Sequence, residues 1–336
     1  MTDDIYNHFS KSNWDKCETE TGTLFYKLGT NNCVERKIEC YNTKKESIPF
    51  KEAYQKFLSH TEDYFKNELN NLQRKKPINI YNGYNKNSFV STGLEIYYPH
   101  LYNDARLCDF NTYIIQPSVR FKLDFFSNLG YNENTKYDYS SIAFNNLSIV
   151  ETRSDKKIND KIEIMIGYLS KIGIHASRVK FFVSKEIKEK ENGVRYFTVK
   201  FFVDNLEIGD ILFINTKNNN TLIEFGFGLE RLLSRYVNRN YSNLFLEKSA
   251  YEQKSILYTN FLTAITFFDE SSANRGAKSH INKVIDSMSA NPDCFNINLI
   301  YENYLYWKEI LSDTDYMCSF DKVTNKYINM TKKRRR

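Results

Sequence analysis

The sequence predicts an α+β protein in which an antiparallel β-sheet flanked by helices is followed by a helical C-terminal part. Two observations lead to this class. Segments rich in β-branched and aromatic residues, separated by turn residues, recur between about residues 78 and 228. Beyond Gly228 the apolar residues recur at helical spacings instead. Strands followed by a run of helices are typical of α+β proteins.

The first 45 residues are predicted to form an N-terminal extension with a β-hairpin. Its strands are Thr23–Leu28 and Cys33–Tyr41, and the four residues between them, 29–32, have the composition of a turn. A helix follows, with a start signal at Ser47 and Pro49. The apolar stripe of this helix, within residues 51–72, fits either core packing or the contact of a homodimer.

The central part of the chain is predicted to contain strands on both sides of one helix, Lys156–Ile172, which stops at Gly173. The predicted strands are Ser88–Thr92, Asn111–Val119, Val179–Val183, Val194–Val203 and Ile211–Thr216. The helices predicted after Gly228 are Leu229–Tyr236, Ile256–Phe268, His280–Met288 and Leu299–Leu311. We therefore expect one domain over 46–245, a helical domain over 246–325 and a basic tail over 326–336.

Composition and charge limit the classes of function. Hydrophobic residues are 41% and charged residues 26% of the 336, which excludes a wholly disordered chain. Five of the positive charges behind the net charge of +6 lie at residues 332–336, where they form either a solvated tail or an arm that seeks phosphate. We find no apolar run of spanning length and no signal-peptide core, so we expect a cytoplasmic protein without a membrane partner. The six cysteines lack zinc-finger spacing, and we expect no metal held by the protein itself.

The most informative segment is Thr221–Leu233, where a predicted strand runs into a helix through Gly226 and Gly228. Glycines at such a junction let a ligand approach the backbone, and Arg231 would stand in the first helical turn, at the positive end of the helix dipole. This combination favours a polyphosphate. Judged from the residues alone, the alternative is that the two glycines only form a tight connection between strand and helix and that Arg231 is solvated.

The literal string Gly226–Leu232 resembles motif 3 of the class II aminoacyl-tRNA synthetases. Together with the preceding strand, Glu207–Phe213, it is similar to the end of the catalytic domain in the alanyl-tRNA synthetase family. Gln116–Arg120 resembles the motif 2 strand, and Phe89–Leu94 is similar to another segment of that family. Asn274–Gly276 is similar to the segment that opens the helices contacting the tRNA acceptor stem.

The resemblance implies an AMP-forming ligase whose catalytic core, 46–245, has the class II antiparallel sheet and lacks the editing and C-terminal domains of a full synthetase. It implies ATP and Mg²⁺, with the ion bridging phosphates. Arg120 would bind the α-phosphate, Arg231 the γ-phosphate, and Phe144 would contact ATP. The substrate-binding residues would be Glu224, Asp210, Gly226 and Gly228, and the acceptor-binding residues Asn274, Arg275 and Lys278.

Two of these positions depart from the family pattern. Glu224 stands where the family keeps an aspartate for the α-ammonium, and Asp210 stands where it keeps an asparagine near the substrate carboxylate. A second negative charge there suggests an amino acid with a displaced or additional amine. The alternative is that both acids are merely structural.

The acceptor of the activated amino acid is open. The helical C-terminal part and the basic terminus favour tRNA, whereas the scarcity of arginines in the acceptor segment favours a small-molecule amine or a carrier-protein thiol. A different class of function, a non-catalytic RNA-binding paralogue, competes with the enzyme.

Overall fold

The computed structural model of the chain describes residues 2–27, 50–84, 89–102, 111–121, 142–152, 158–189, 193–215, 221–237, 253–289 and 292–334. The helices are α1 Thr2–Lys11, α2 Phe50–Glu68, α3 Tyr98–Tyr102, α4 Ile158–Lys171, α5 Leu229–Tyr236, α6 Gln253–Thr266, α7 Arg275–Met288, α8 Ile297–Ile310 and α9 Phe320–Arg334. The strands are β1 Asp15–Glu18, β2 Gly22–Tyr26, β3 Gln73–Arg74, β4 Thr112–Val119, β5 Ala143–Thr152, β6 Val179–Ser184, β7 Lys188–Glu189, β8 Arg195–Val203, β9 Leu206–Asn215 and β10 Thr221–Gly228.

These strands form one sheet in the order β1-β2-β6-β8-β9-β10-β5-β4-β3, with β7 paired to β8. The pairs β1–β2, β2–β6, β6–β8, β8–β9 and β9–β10 are antiparallel, and β3–β4 is parallel. The predicted coarse class, α+β with a mostly antiparallel sheet, is therefore confirmed. None of the helices within the described ranges is long and apolar enough to cross a membrane.

The chain divides into two compact units that are discontinuous in sequence. The first comprises Met1–Lys75, Tyr97–Tyr113 and Ser148–Asn238, and the second comprises Lys76–Ile96, Ile114–Leu147 and Arg239–Arg336. The domain boundaries expected near residues 45, 245 and 325 concern functional domains and stay a prediction.

An aromatic core in the first unit explains why α2 and α4 form where they do. The alternation of β10 sends Phe225 and Phe227 to one side of the sheet, and both are fully buried. The ring of Phe225 lies 5.6 Å from that of Phe65 on α2, and the ring of Phe227 lies 5.5 Å from that of Tyr168 on α4. The apolar stripe of α2 is therefore used in the core, and the homodimer gains no support from it.

The second unit is built largely from helices packed on one another. Trp307 of α8 is fully buried, and the rings of Phe267, just after α6, and Tyr304 of α8 stack at 5.9 Å. The described helices α6, α7 and α8 correspond to the C-terminal helices predicted from the sequence, and α9 is an additional helix. Because α9 continues to Arg334, most of the predicted basic tail is helical.

Two expectations differ from the structure. Residues 89–92 have no regular secondary structure and precede a short 3₁₀-helix, Gly93–Tyr97, so the predicted strand Ser88–Thr92 is wrong for the residues described. In the N-terminal part a hairpin is present, but its strands are β1 and β2. In the described residues β2 is paired with β1 on one edge and β6 on the other, and the second predicted strand, Cys33–Tyr41, lies outside the described residues.

Candidate functional site

Strand β10 in the first unit has one aromatic face and one polar face. Phe225 and Phe227 enter the core, so Glu224, Gly226 and Gly228 lie on the opposite face of the sheet. Gly226 is paired with Asp210 of β9. Because directly paired residues share a face, Asp210 lies on this polar face too.

The glycine at position 226 leaves space between two carboxylates. A Cβ atom on Gly226 would lie 3.1 Å from Asp210 Oδ1 and 3.6 Å from Glu224 Oε1. The first distance is tighter than ordinary van der Waals contact. Asp210 and Glu224, two of the predicted substrate-binding residues, therefore both lie close to the backbone of Gly226, which carries no side chain.

The carboxylate of Glu224 is buried and held in place. Only 4% of the residue is exposed, and the hydroxyl of Ser148 on β5 donates a hydrogen bond to Oε1. A buried carboxylate is costly unless it is hydrogen-bonded, so this contact fixes its orientation. Ser148 was not predicted as a site residue from the sequence. The alternation of polar residues along β5 was the signal that could have identified it.

A second glycine lets the backbones of β9 and β10 come close together. A Cβ atom on Gly209 would lie only 2.0 Å from the carbonyl oxygen of Gly226. No side chain fits there without a shift of the backbone, so the sequence requires glycine at this position.

Arg231 stands in the first turn of α5, as predicted. Its side chain packs over Gly228, because a Cβ atom added to Gly228 would lie 3.4 Å from Arg231 Cδ. The Nη1 of Arg231 donates a hydrogen bond to the carbonyl oxygen of Glu207 at 2.9 Å. The guanidinium is thereby fixed beside the glycine-containing end of β10. A planar guanidinium that is held in this way suits bidentate binding of phosphate.

Lys200 adds a cation to the polar face that sequence reasoning did not identify. It lies on β8 directly opposite Asp210. Its Nζ contacts both carboxylate oxygens of Glu207, at 3.1 and 3.2 Å. The signal was the alternation in β8, where Val199 and Phe201 are buried in the core and Lys200 points away from it.

The second unit holds the other predicted ATP-binding residues, Arg120 and Phe144, and brings them together. The guanidinium carbon of Arg120 lies 5.1 Å from the centre of the Phe144 ring, a cation–π distance. Its Nε donates to the carbonyl oxygen of Ser91 at 3.0 Å. Arg120 is exposed, immediately after the end of β4.

The predicted acceptor-binding residues lie at the start of α7. Asn274 is the N-cap, and its Oδ1 accepts a hydrogen bond from the backbone N–H of Ala277 at 2.9 Å, whereas Arg275 and Lys278 are exposed. Farther along α7, the His280 ring stacks on Phe121 at 4.5 Å. Phe121 follows Arg120 directly, so this stacked pair joins α7 to the residue after the predicted α-phosphate ligand.

A cavity of about 930 Å³ also lies in the second unit, lined by residues of α6, α7 and α9 and the turn after α6. Inside it, Lys326 Nζ lies 3.0 Å from Glu270 Oε2, and burial lowers the pKa of the Lys326 ammonium. None of the predicted site residues lines this cavity.

No model of a known protein family matches the chain, and no curated protein matches it. The function therefore has to be argued from the site itself. Within the described ranges, no group of three or more His, Cys, Asp or Glu side chains is placed to hold a metal ion.

Proposed function

We propose that the chain is an ATP-dependent, AMP-forming ligase with a catalytic core of the class II aminoacyl-tRNA synthetase kind. It would activate an amino acid as an aminoacyl-adenylate and transfer it to an acceptor, with tRNA as the first candidate. One observation carries this proposal: the β10–α5 junction combines a bare glycine face, two bordering carboxylates and a fixed arginine. The string Gly226–Leu232, which resembles motif 3, spans this junction.

The carboxylates supply the chemistry for holding an amino acid. Glu224 is buried and oriented by Ser148, so an ammonium group placed on Gly226 would meet a fixed negative charge in a poorly hydrated setting. Such a charge-assisted contact is stronger than a neutral hydrogen bond. The glycine allows the substrate backbone to lie against the strand.

The arginines supply the chemistry for holding ATP. In the proposed reaction the carboxylate oxygen of the amino acid attacks the α-phosphorus, the bond to the bridging oxygen breaks, and pyrophosphate leaves. Arg120 would offset the charge on the α-phosphate and Arg231 that on the γ-phosphate, since guanidinium groups bind phosphate oxygens in pairs. Mg²⁺, held by phosphate oxygens, would neutralise the triphosphate further. A Cβ atom on Gly228 would lie 3.4 Å from Arg231 Cδ, so the glycine leaves the arginine without a crowding side chain at this position.

Helix α7 supports an anionic acceptor. Arg275 and Lys278 are exposed in its first turns, where the positive end of the helix dipole adds to their charge. A phosphate backbone is the acceptor that suits these charges best.

Amino-acid-dependent ATP–pyrophosphate exchange tests the proposal. We expect exchange in the unaltered protein, and a loss of about 100-fold or more in Arg120→Ala and in Arg231→Ala, because each removes a charge from the transition state. Arg195→Ala is the matched control, since Arg195 is an exposed arginine near the start of β8. Exchange that survives in both arginine variants contradicts the proposal. Folded protein that binds RNA and shows no exchange with any amino acid favours the non-catalytic paralogue instead.

A further inference from the structure

We propose that Lys326 captures an uncharged aldehyde as an imine in the cavity lined by α6, α7 and α9. This inference goes beyond the proposed function and does not depend on it. Every residue that lines the cavity belongs to the second unit.

The amine of Lys326 adjoins a space that is large enough for a ligand. Only 18% of the Lys326 side chain is exposed, and its Nζ lies 3.0 Å from Glu270 Oε2, on the turn after α6. Both residues line the cavity, whose volume is about 930 Å³. This volume lies within the range of small-molecule sites, roughly 300–1,000 Å³. A nucleophilic atom, a carboxylate and a ligand-sized space therefore meet at one place.

The surroundings of Lys326 favour its neutral, nucleophilic form. Burial has the largest effect and lowers the pKa of the ammonium; Glu270 and Cys318 raise the pKa, and Lys322 lowers it. The pKa is lowered overall, so at neutral pH more of this group is the free amine than in an exposed lysine. Lysines in desolvated sites form Schiff bases with carbonyl compounds for this reason.

Glu270 is placed to move the protons of the reaction. The Nζ lone pair forms a bond to the carbonyl carbon, and the π electrons of the carbonyl group move to its oxygen. Glu270 would accept a proton from the nitrogen and pass it to that oxygen, which leaves as water with both amine hydrogens while the C=N bond forms. The Glu270 side chain is 52% exposed, so it can exchange protons with solvent. The step consumes no oxidant or reductant.

The lining of the cavity favours an uncharged ligand with an apolar body. All three helices contribute apolar side chains, which include Ile265, Ile281, Ile285 and Met330. Among the described lining residues, carboxylates outnumber ammonium groups: Asp269, Glu270, Asp286 and Asp321 against Lys322 and Lys326. An aldehyde that carries a carboxylate or phosphate of its own would be repelled. An aromatic or aliphatic aldehyde meets both conditions.

Reductive trapping tests this inference. The full chain is incubated at pH 7 with benzaldehyde and cyanoborohydride, which reduces imines to stable secondary amines, and peptide mass spectrometry measures the initial rate at each lysine. We expect Lys326 to be labelled at least about 10-fold faster than Lys322, since each unit by which the pKa falls raises the free-amine fraction about tenfold. Lys322 is the matched control, because it is exposed, lies on the same helix and lines the same cavity. A shielded lysine that only forms an ion pair would instead react more slowly than Lys322.

A second aldehyde tests the ligand class. 4-Carboxybenzaldehyde differs from benzaldehyde by one carboxylate, and it should label Lys326 at least about threefold more slowly because of repulsion in the cavity. Lys171, an exposed lysine at the end of α4, is the reference and should react equally with both aldehydes. Labelling of Lys326 that is no faster than that of Lys322, or that is equally fast with both aldehydes, overturns the inference.

Glu270→Gln tests the proton transfer. The variant removes a charge that raises the pKa of Lys326, so the midpoint of the labelling rate against pH should shift to lower pH. The maximal rate should nevertheless fall at least about threefold, because the group that transfers protons is lost. A purely structural role for Glu270 would not produce these two opposite changes. A maximal rate that is unchanged in Glu270→Gln overturns the assignment of proton transfer to this residue.

Discussion

Gly226 lies directly opposite Asp210, and a methyl group on Gly226 would stand 3.1 Å from the Asp210 Oδ1 atom. The strand pairing thus brings a carboxylate close to the position that a side chain at residue 226 would take. A side chain there would lie against both Asp210 and Glu224.

Gly226→Ala should therefore reduce activity more than stability. The methyl group would fill the space between Asp210 and Glu224, and we expect amino-acid-dependent exchange to fall at least about 10-fold, with a change in unfolding free energy below about 1 kcal/mol. Exchange kinetics and urea denaturation measure the two effects. Ser59→Ala, on the exposed side of α2, should change neither; full exchange activity in Gly226→Ala would show that no ligand uses this face.

Gly209→Ala should have the reverse pattern, because its methyl group would lie 2.0 Å from the carbonyl oxygen of Gly226. The strands β9 and β10 would have to separate. We expect the free energy of unfolding to fall by about 1–3 kcal/mol, as is usual for overpacking of a tight site. Urea denaturation measures the loss, and a stability equal to that of the unaltered protein would show that the strands separate without cost.

A buried ion pair in the first unit gives a prediction about stability alone. Lys161 of α4 is fully buried, and its ammonium contacts the carboxylate of Glu151 on β5. Lys161→Met should lower the free energy of unfolding by about 3–5 kcal/mol, because it leaves the carboxylate buried beside no ammonium. The double variant Lys161→Met, Glu151→Leu should lose clearly less. If the double variant is as unstable as the single one, packing and not charge accounts for the loss.

Tyr64 predicts a loss of stability at high pH. Its hydroxyl donates to the carbonyl oxygen of Ile164 at 2.9 Å, and burial raises the pKa of Tyr64 to about 12. An unfolded tyrosine ionises near pH 10, so the unfolded state loses its proton first. The contribution of this group is fully present below about pH 10 and is lost as the pH rises to about 12. Tyr64→Phe should show a shallower decline over that interval in urea denaturation; equal slopes for both proteins would contradict the assignment.

Local patterns in the sequence predicted the β10–α5 junction correctly, because the information needed is local there. The alternation of Phe225 and Phe227 with glycines defines the strand, and the helix Leu229–Tyr236 has the predicted bounds. The pairing of Gly226 with Asp210, and the hydrogen bond from Ser148 to Glu224, depend on strands distant in sequence. Alternation places a side chain on a face, but it does not identify the neighbour across the sheet.

The failed strand at Ser88–Thr92 shows the opposite case. Both the backbone N–H and the hydroxyl of Ser91 donate to Glu95 Oε1 at 2.7 Å, and the N–H of Gly93 donates to Asn146 Oδ1 at 2.8 Å. Side chains thus satisfy backbone groups that a sheet ladder would otherwise use. The β-branched and aromatic content suggested a strand, but a nearby glutamate and a distant asparagine determine the conformation.

The alternation of β10 has a consequence for how this protein can evolve. Inserting or deleting one residue in β10 would move Phe225 and Phe227 to the polar face and turn Glu224 into the aromatic core, since the two faces of a strand exchange with every single-residue shift. Sequence variants that preserve the fold must therefore also keep Glu224, Gly226 and Gly228 on the polar face of β10. Single substitutions can still change this face, whereas a change in the length of the strand would disrupt it.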